Sequence, residues 1–300
     1  GVFVSNKPRK MTLEKKHNLT GWAFLAPATF LIAVFSFWPM IKALVLSFQT
    51  GKGRNMQMAG FTNYIRMFQD DVFLQSIKNT FFYFILQVPI MLVVAMVLAC
   101  ILNKKDLRFK GFFRTMIFLP CTTSLVAYAI IFRSLFANDG LVNYVLVNLG
   151  ILDKPYNFLT QPFAAKMVII LALLWRWTGY NMVFFLSGLQ NIEYSVYEAA
   201  KIDGASAIQT FFKITVPLLK PTILLTAIMS TNGTLQLFDE SINLTDGGPA
   251  NASISMSHYI YNLCFKYVPN FGYAAAMSFF ILLLVAVLAF IQMRVGDKRD

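Results

Sequence analysis

The chain has 300 residues, of which 57% are hydrophobic, 15% are aromatic and 13% are charged. Because an ordinary soluble domain carries about 25% charged residues, this composition excludes a soluble globular protein. Together with a mean hydropathy of +0.59, it predicts an all-α polytopic membrane protein. The net charge of +12 would suggest a nucleic-acid partner in a soluble chain, but here we attribute it to basic loops retained in the cytoplasm and predict no nucleic-acid partner.

Six apolar segments are long enough to cross a bilayer. We predict transmembrane helices at about residues 20–41, 79–102, 115–136, 163–189, 221–238 and 272–293. Pro120 predicts a kink in the third span. Between the first two spans, glycines indicate a loop, with a possible short interfacial helix at 61–68. The predicted domains are a cytoplasmic tail at residues 1–19, a transmembrane domain at 20–295 and a cytoplasmic tail at 296–300.

The distribution of charge predicts the orientation. With the N-terminus inside, the cytoplasmic segments carry a total charge of +9 and the external segments carry −1. Since basic residues are concentrated in cytoplasmic loops, we expect both termini in the cytoplasm. The loop between spans four and five, at residues 191–221, is then cytoplasmic as well. Three cysteines without a CxxC spacing and two histidines predict neither a disulfide framework nor a metal site.

This cytoplasmic loop contains a pattern typical of two short helices joined by a turn. Ser195 and Ser206 each precede a glutamate or glutamine by three residues, the spacing of a capping box. Asp203-Gly204 lies between them and predicts a turn that ends the first helix. From these residues alone, a docking element for a partner and a linker packed on its own bundle are equally open.

The loop resembles the EAA loop of ABC importer permeases in Glu198-Ala199-Ala200, Gly204-Ala205-Ser206 and the later Phe211, Ile214, Pro217 and Pro221. Further segments resemble the maltose- and lactose-type carbohydrate-uptake subgroup. They are residues 111–120, 175–181, 189–192, 233–240 and 244–251. The resemblance covers about residues 20–295. Glu193 and Ser241 depart from it, since relatives often have proline there.

The resemblance implies a type I importer permease core that pairs with a second permease subunit, two ABC ATPase subunits and an extracytoplasmic solute-binding protein in the bacterial inner membrane. It also implies that the helix after Ser195 couples the permease to the ATPase. The implied coupling residues are Glu198, Ala199, Ala200, Asp203, Gly204 and Ser206. The sequence has no phosphate-binding GxxxxGK[ST] motif. We therefore expect no enzyme activity and no cofactor in this chain, with ATP and Mg²⁺ on the partner ATPase.

Polar and aromatic side chains in spans four and five predict the substrate path. The candidates are Trp175, Arg176, Trp177, Gly179, Tyr180, Asn181, Ser230, Thr234, Gln236 and Leu237. Helical spacing places Trp177 with Asn181 on one face, and Ser230, Thr234 and Leu237 on another. Aromatic stacking and hydrogen bonding suit an oligosaccharide. The alternative is that these polar groups bond across to the other permease.

Arg176, a charge within a span, calls for a partner. We favour an acid or carbonyl groups on a neighbouring helix over a ligand carboxylate or phosphate. The adjacent acids at 70–71 and 239–240 are interpreted as rim charges or docking residues, not as a catalytic pair. The main hypothesis is a sugar importer permease. The alternatives are the same importer for an acidic oligosaccharide or a glycerol-phosphate-like solute, an ion-coupled secondary transporter, and, least favoured, a membrane enzyme. The sequence does not name the sugar.

Overall fold

The computed structural model describes residues 12–52, 55–104 and 106–296. Within these residues, four helices are long and apolar enough to cross a membrane, and up to six spans result if each of two bent helix pairs counts as one. The predicted all-α class with six spans is confirmed. Of the two predicted tails, residues 1–11 and 297–300 lie outside the described residues.

The elements follow the predicted order with additions in the connections. The long helices are α1 (Leu13–Ser47), α3 (Asp71–Asn103), α7 (Pro162–Gln190) and α13 (Phe271–Gly296). The bent pairs are α4 (Lys110–Thr122) with α5 (Leu125–Leu135), and α9 (Ala207–Leu218) with α10 (Lys220–Leu235). The shorter elements are β1 (Gln49–Lys52), β2 (Asn55–Met58), α2 (Thr62–Met67), α6 (Leu141–Asn148), α8 (Tyr194–Ile202), α11 (Asp239–Thr245) and α12 (Met256–Tyr261).

Both bent pairs break near prolines, and the bend after Pro120 is the kink that the sequence predicts. The third span turns by 99° between α4 and α5, where Thr123 is extended with ψ 151°, three residues after Pro120. The second pair turns by 72° at Leu219, between Pro217 and Pro221. Proline lacks the N–H that would continue a helix, so the chain can change direction at these points at little further cost.

The packed centre of the molecule lies between α3 and α7, which form the most extensive contact between helices. Small residues of α3, such as Ala95 and Ala99, are fully buried and pack in a cluster with Met182 and Phe185 of α7. Small side chains permit close approach of helices, which is how helices associate where the surrounding solvent is itself apolar. The neighbouring α4 and α10 pack against this pair.

The N-terminal helix contrasts with this centre. No residue of Leu13–Ile32 is buried, and a π-helical turn at Ala33–Phe37 follows. Only the last part of α1, Trp38–Ser47, packs on α13. An apolar helix without buried residues within its own chain is suited to contact with lipid or with another membrane chain.

Several predicted loops contain regular structure. The segment after α1 forms an antiparallel hairpin in which Gln49 pairs with Met58, and the short helix expected at 61–68 is α2. The connection after α10, expected to be an external loop, forms α11 and α12 and packs against α3, α5 and α13.

Candidate functional site

A cavity of about 330 Å³ opens between α3, α7, α10 and the start of α11. Seven of the ten predicted path residues line it: Trp177, Tyr180, Asn181, Ser230, Thr234, Gln236 and Leu237. The two aromatic rings, Trp177 and Tyr180, meet edge to face at 5.9 Å. The cavity therefore combines aromatic surfaces with amide and hydroxyl groups, while contact of these residues with a substrate stays a prediction.

The polar groups of the cavity are connected to one another within this chain. The Thr234 hydroxyl donates to Oε1 of Gln87 over 2.9 Å, and the Ser230 hydroxyl donates to Oδ1 of Asn181 over 3.4 Å. The amide of Asn181 donates to the backbone carbonyl of Trp177 over 3.0 Å. Because these bonds fix the side chains before any ligand arrives, the wall is largely pre-organised.

The other three predicted path residues lie elsewhere. Trp175 is on a different side of α7, is 44% exposed and stacks on Tyr128 with ring centroids 6.2 Å apart. Gly179 faces α4, where a Cβ would overlap the backbone carbonyl of Ile117. Glycine at 179 thus permits α4 and α7 to touch, and it contributes no surface to the cavity.

Arg176 is buried, with 5% of its surface exposed. Its guanidinium donates to the carbonyl oxygens of Thr123, over 2.9 Å, and Cys121, over 3.4 Å. These carbonyls are free because the third span breaks at this point. The guanidinium also lies 4.8 Å from the ring of Tyr128. The favoured interpretation, in which Arg176 bonds carbonyl groups of a neighbouring helix, matches these contacts.

The cavity also contains residues that sequence reasoning missed. Gln87 of α3 is 2% exposed, and its position in the middle of an apolar span was a usable signal, because an amide at that depth needs a partner. Asp239 and Glu240 line the wall beyond α10. The interpretation of Glu240 as a rim charge is wrong, since only 4% of it is exposed.

Glu240 is held at the wall by one neighbour. The hydroxyl of Tyr128, a fully buried side chain, donates to its Oε1. Burial raises the pKa of the Glu240 carboxyl, and the hydrogen bond from Tyr128 opposes this shift. Asp70, another of the acids interpreted as rim charges, caps the start of α3 through Val72 and accepts bonds from the hydroxyls of Tyr259 and Tyr273, both over 2.7 Å.

The predicted coupling segment forms two helices joined by a tight turn, as expected. Gly204 has φ +75°, and the N–H groups of Ala205 and Gly204 donate to the carbonyls of Ala200 and Lys201 over 2.9 and 3.2 Å. This pair of bonds is a Schellman motif, which satisfies the last carbonyls of α8 and needs a left-handed residue at Gly204.

Of the two predicted capping boxes, one is present. The Ser206 hydroxyl accepts from the N–H of Gln209, and the Gln209 side chain accepts from the N–H of Ser206. The box predicted at Ser195 is wrong, because α8 begins two residues earlier than this box requires, with Glu193 at its N-cap. The Ser195 hydroxyl instead donates to the Glu193 carboxylate over 3.3 Å.

Most predicted coupling residues are accessible. Exposed side chains are those of Glu198, Ala199, Asp203 and Ser206, whereas Ala200 is buried. Large apolar side chains beside them are also uncovered, including Ile202 at 85%, Ile208 at 71% and Phe212 at 65% exposure. A surface of this kind, with apolar groups next to a carboxylate, is typical of an interaction site.

Comparison with known proteins decides the family. Residues 70–299 match the family described as "Binding-protein-dependent transport system inner membrane component". The chain belongs to this family. It is 51% identical to the lactose transport system permease protein LacF of Rhizobium radiobacter over 97% of this chain and 98% of the relative. It is 33% identical to the multiple sugar-binding transport system permease protein MsmF of Streptococcus mutans over 96% of this chain and 99% of the relative.

A solved structure shares the fold. A chain of the bacterial alginate ABC transporter, crystallised in complex with an alginate pentasaccharide-bound periplasmic protein, is 25% identical. The match covers 95% of this chain and 96% of that chain with a TM-score of 0.83. As an inner membrane component of such a system, this chain is an integral membrane permease, and ATP hydrolysis is carried by a separate ATPase subunit.

Proposed function

We propose that this permease forms the translocation path of an ATP-driven, binding-protein-dependent importer for a sugar or short oligosaccharide. The observation that carries the proposal is the cavity between α3, α7 and α10, which presents Trp177 and Tyr180 beside Asn181, Ser230 and Thr234. A sugar has apolar C–H faces and a rim of hydroxyl groups. Aromatic rings with nearby amides and hydroxyls therefore match its surface.

The relatives support a sugar as the substrate class. They are named for transport of lactose, multiple sugars and arabinooligosaccharides. The alternative, in which the polar path residues bond across to the other permease, receives less support from the contacts. Thr234, Ser230 and Asn181 already have partners within this chain.

The proposed assembly has a second permease subunit, two ATPase subunits and an external solute-binding protein that delivers the sugar. Both termini and the segment 191–221 lie in the cytoplasm, as the charge distribution indicates. In this assembly α8 docks on an ATPase subunit through Glu198, and Gly204 provides the turn behind it. ATP and Mg²⁺ bind to the ATPase partners. Movement of α8 on ATP binding then switches access to the cavity.

The substrate path is tested by replacing, one at a time, two tryptophans that are two positions apart in the sequence. In proteoliposomes containing the complete importer and its binding protein, we expect Trp177→Leu to lower ATP-driven uptake of neutral sugars by about tenfold, the effect of roughly 1.4 kcal/mol of lost aromatic contact. Trp175→Leu is the control, because Trp175 lies outside the cavity. Equal losses of uptake in the two variants would show that the cavity is not part of the transport path.

The coupling role is tested with two exposed glutamates of the same loop. We expect Glu198→Gln to weaken the association of the ATPase with the permease and to lower sugar-stimulated ATP hydrolysis. Glu193→Gln is expected to retain both, since Glu193 is the N-cap that precedes α8, whereas Glu198 lies in the middle of this helix. Transport driven by an ion gradient in vesicles without the ATPase would favour a secondary transporter and overturn the importer proposal.

One observation favours a second candidate substrate. The fold match is to an importer of the acidic polysaccharide alginate. An acidic oligosaccharide would need a cation at the cavity, and Arg176, the charge within span four, would have to leave its carbonyl partners outside the cavity lining to supply it. Uptake of uronate-containing glycans alone, in the same proteoliposomes, would support this candidate over a neutral sugar.

A further inference from the structure

The charged groups at the cavity are both acidic. Among the described residues that line it, Asp239 and Glu240 carry the only ionisable carboxyl groups, and no lysine or arginine lines it. Both lie at the start of α11, directly after the end of the fifth span. From the sequence they were interpreted as rim charges or docking residues, and the predicted substrate path ended at Leu237.

The hydrogen bonds that Arg176 donates do not go to Asp239 or Glu240. Its guanidinium is 5% exposed and donates to the carbonyls of Thr123 and Cys121. The ring of Tyr128 lies 4.8 Å from it, and the hydroxyl of the same ring donates to Glu240. Tyr128 thus contacts both the cation and the carboxylate, and of these three residues only Glu240 lines the cavity.

We propose that Asp239 and Glu240 are specificity-determining residues that make the cavity accept uncharged saccharides and reject anionic ones. The inference rests on the proposed sugar-import function and defines its substrate class further. An ionised carboxylate only accepts hydrogen bonds, and each saccharide hydroxyl can donate one. A uronate or phosphate group on the substrate would instead meet a like charge, and such a repulsive element produces specificity.

One negative charge shared by the pair is sufficient for this selection. Adjacent carboxyl groups oppose each other's ionisation, and burial raises the pKa of Glu240, while the hydrogen bond from Tyr128 and the charge of Arg176 oppose this shift. A protonated Glu240 still offers a hydrogen bond to a neutral sugar, and the remaining charge still repels an anion. The pair therefore discriminates through charge whichever of the two residues holds the proton.

The test compares two saccharides of the same length on the assembled permease–ATPase complex without its binding protein. One is a neutral saccharide that the importer transports, and the other is its counterpart with C6 of the terminal residue oxidised to a uronate. Calorimetric titration is expected to show at least about tenfold tighter binding of the neutral form, the factor that one repulsive charge pair supplies in a partly buried site. Asp239→Asn and Glu240→Gln are each expected to reduce this preference to less than about threefold.

The control variant is Asp246→Asn, which changes an exposed carboxylate just beyond the other end of α11, outside the cavity lining. It is expected to keep the full preference. Equal affinities of the wild-type complex for both saccharides, unaltered preference in Asp239→Asn and Glu240→Gln, or no binding of the neutral saccharide at millimolar concentration would each overturn the inference. None of these results affects the proposed import function, which fails if no saccharide is taken up with ATP or if an ion gradient drives uptake without the ATPase.

Discussion

Two connections flank the fifth span, and both are polar in sequence. The first connection, residues 191–219, leaves large apolar side chains such as Ile202 and Ile208 exposed to solvent. The second connection, residues 236–270, buries polar groups instead, among them Ser241, Ser253 and His258, all at 0% exposure. The first thus presents a surface for a partner, and the second is part of the packed interior and of the cavity wall.

Hydrogen bonds from the second span explain why the second connection can be buried. The amide of Asn79 donates to the carbonyls of Asn251 and Ile254 over 3.2 and 2.9 Å, and the hydroxyl of Tyr83 donates to Ser253 over 2.9 Å. Irregular backbone away from water needs such partners. The comparison teaches that a polar connection in a membrane protein is not necessarily an exposed loop.

Removing one of these anchors should have the largest effect. Asn79→Leu keeps the number and branching of the side-chain heavy atoms but leaves two carbonyls of the second connection without their donor, and we expect a loss of about 3 kcal/mol of stability. Thermal unfolding of the purified permease in detergent checks this as a marked drop in apparent Tm. The control is Asn191→Leu, because Asn191 is exposed in the first connection. Equal decreases in apparent Tm in the two variants would contradict the distinction between a buried second connection and an exposed first connection.

A fall in pH should destabilise the second connection through protonation of His258. Its Nδ1 lies 2.9 Å from the Ser241 hydroxyl, and its Nε2 lies 3.7 Å from Asp246, which also pairs with Lys266. Burial lowers the pKa of His258 to about 4, with Asp246 raising it and Lys266 lowering it. The unfolded chain, with an ordinary histidine pKa of about 6.5, binds the proton first as pH falls.

The stability associated with neutral His258 is therefore present above about pH 6.5 and is lost as pH falls toward 4. We expect about 2 kcal/mol less stability at pH 5 than at pH 7 from this residue. Burial shifts the pKa of the Glu240 carboxyl upward, so its protonation acts in the opposite direction. For this reason the measurement is the difference in apparent Tm between wild type and His258→Gln at each pH. A difference that does not change with pH would contradict the expectation.

The same contrast shows what the sequence could predict. The six spans, the proline-associated bends and the turn at Gly204 follow from local chemistry, so hydropathy, proline and glycine were sufficient. The burial of the second connection depends on contacts with residues more than 100 positions away, such as Tyr128, which bonds Glu240, and Asn79, which bonds the carbonyls of Asn251 and Ile254. No local pattern encodes such contacts, so these polar residues were interpreted as part of an exposed loop. On α7, helical spacing grouped Trp177 with Asn181 correctly, but it could not tell which neighbour Trp175 and Gly179 would face.

A smaller effect is expected at the turn of the first connection. Gly204 has φ +75°, and a Cβ at this position would meet no atom within 4 Å. Gly204→Ala therefore adds only backbone strain, about 1 kcal/mol for a left-handed residue. We expect faster hydrogen exchange at the end of α8 with the global Tm almost unchanged. Gly111→Ala is the control, because Gly111 is helical, has equally open space and lacks a positive φ.

The smallest expected effect distinguishes the two serines, Ser195 and Ser206, that both have the capping-box spacing in the sequence. Ser206→Ala removes the hydroxyl that accepts from Gln209 at the start of α9, a loss of about 1 kcal/mol of local helix stability. Ser195→Ala removes only a hydroxyl that donates to an exposed carboxylate, so its effect should be close to zero. Hydrogen exchange at residues 207–210 measures the first change, and exchange at residues 196–199 measures the second. Equal protection losses in the two variants would show that Ser195 caps α8 in solution, in conflict with the observed start of that helix at Tyr194.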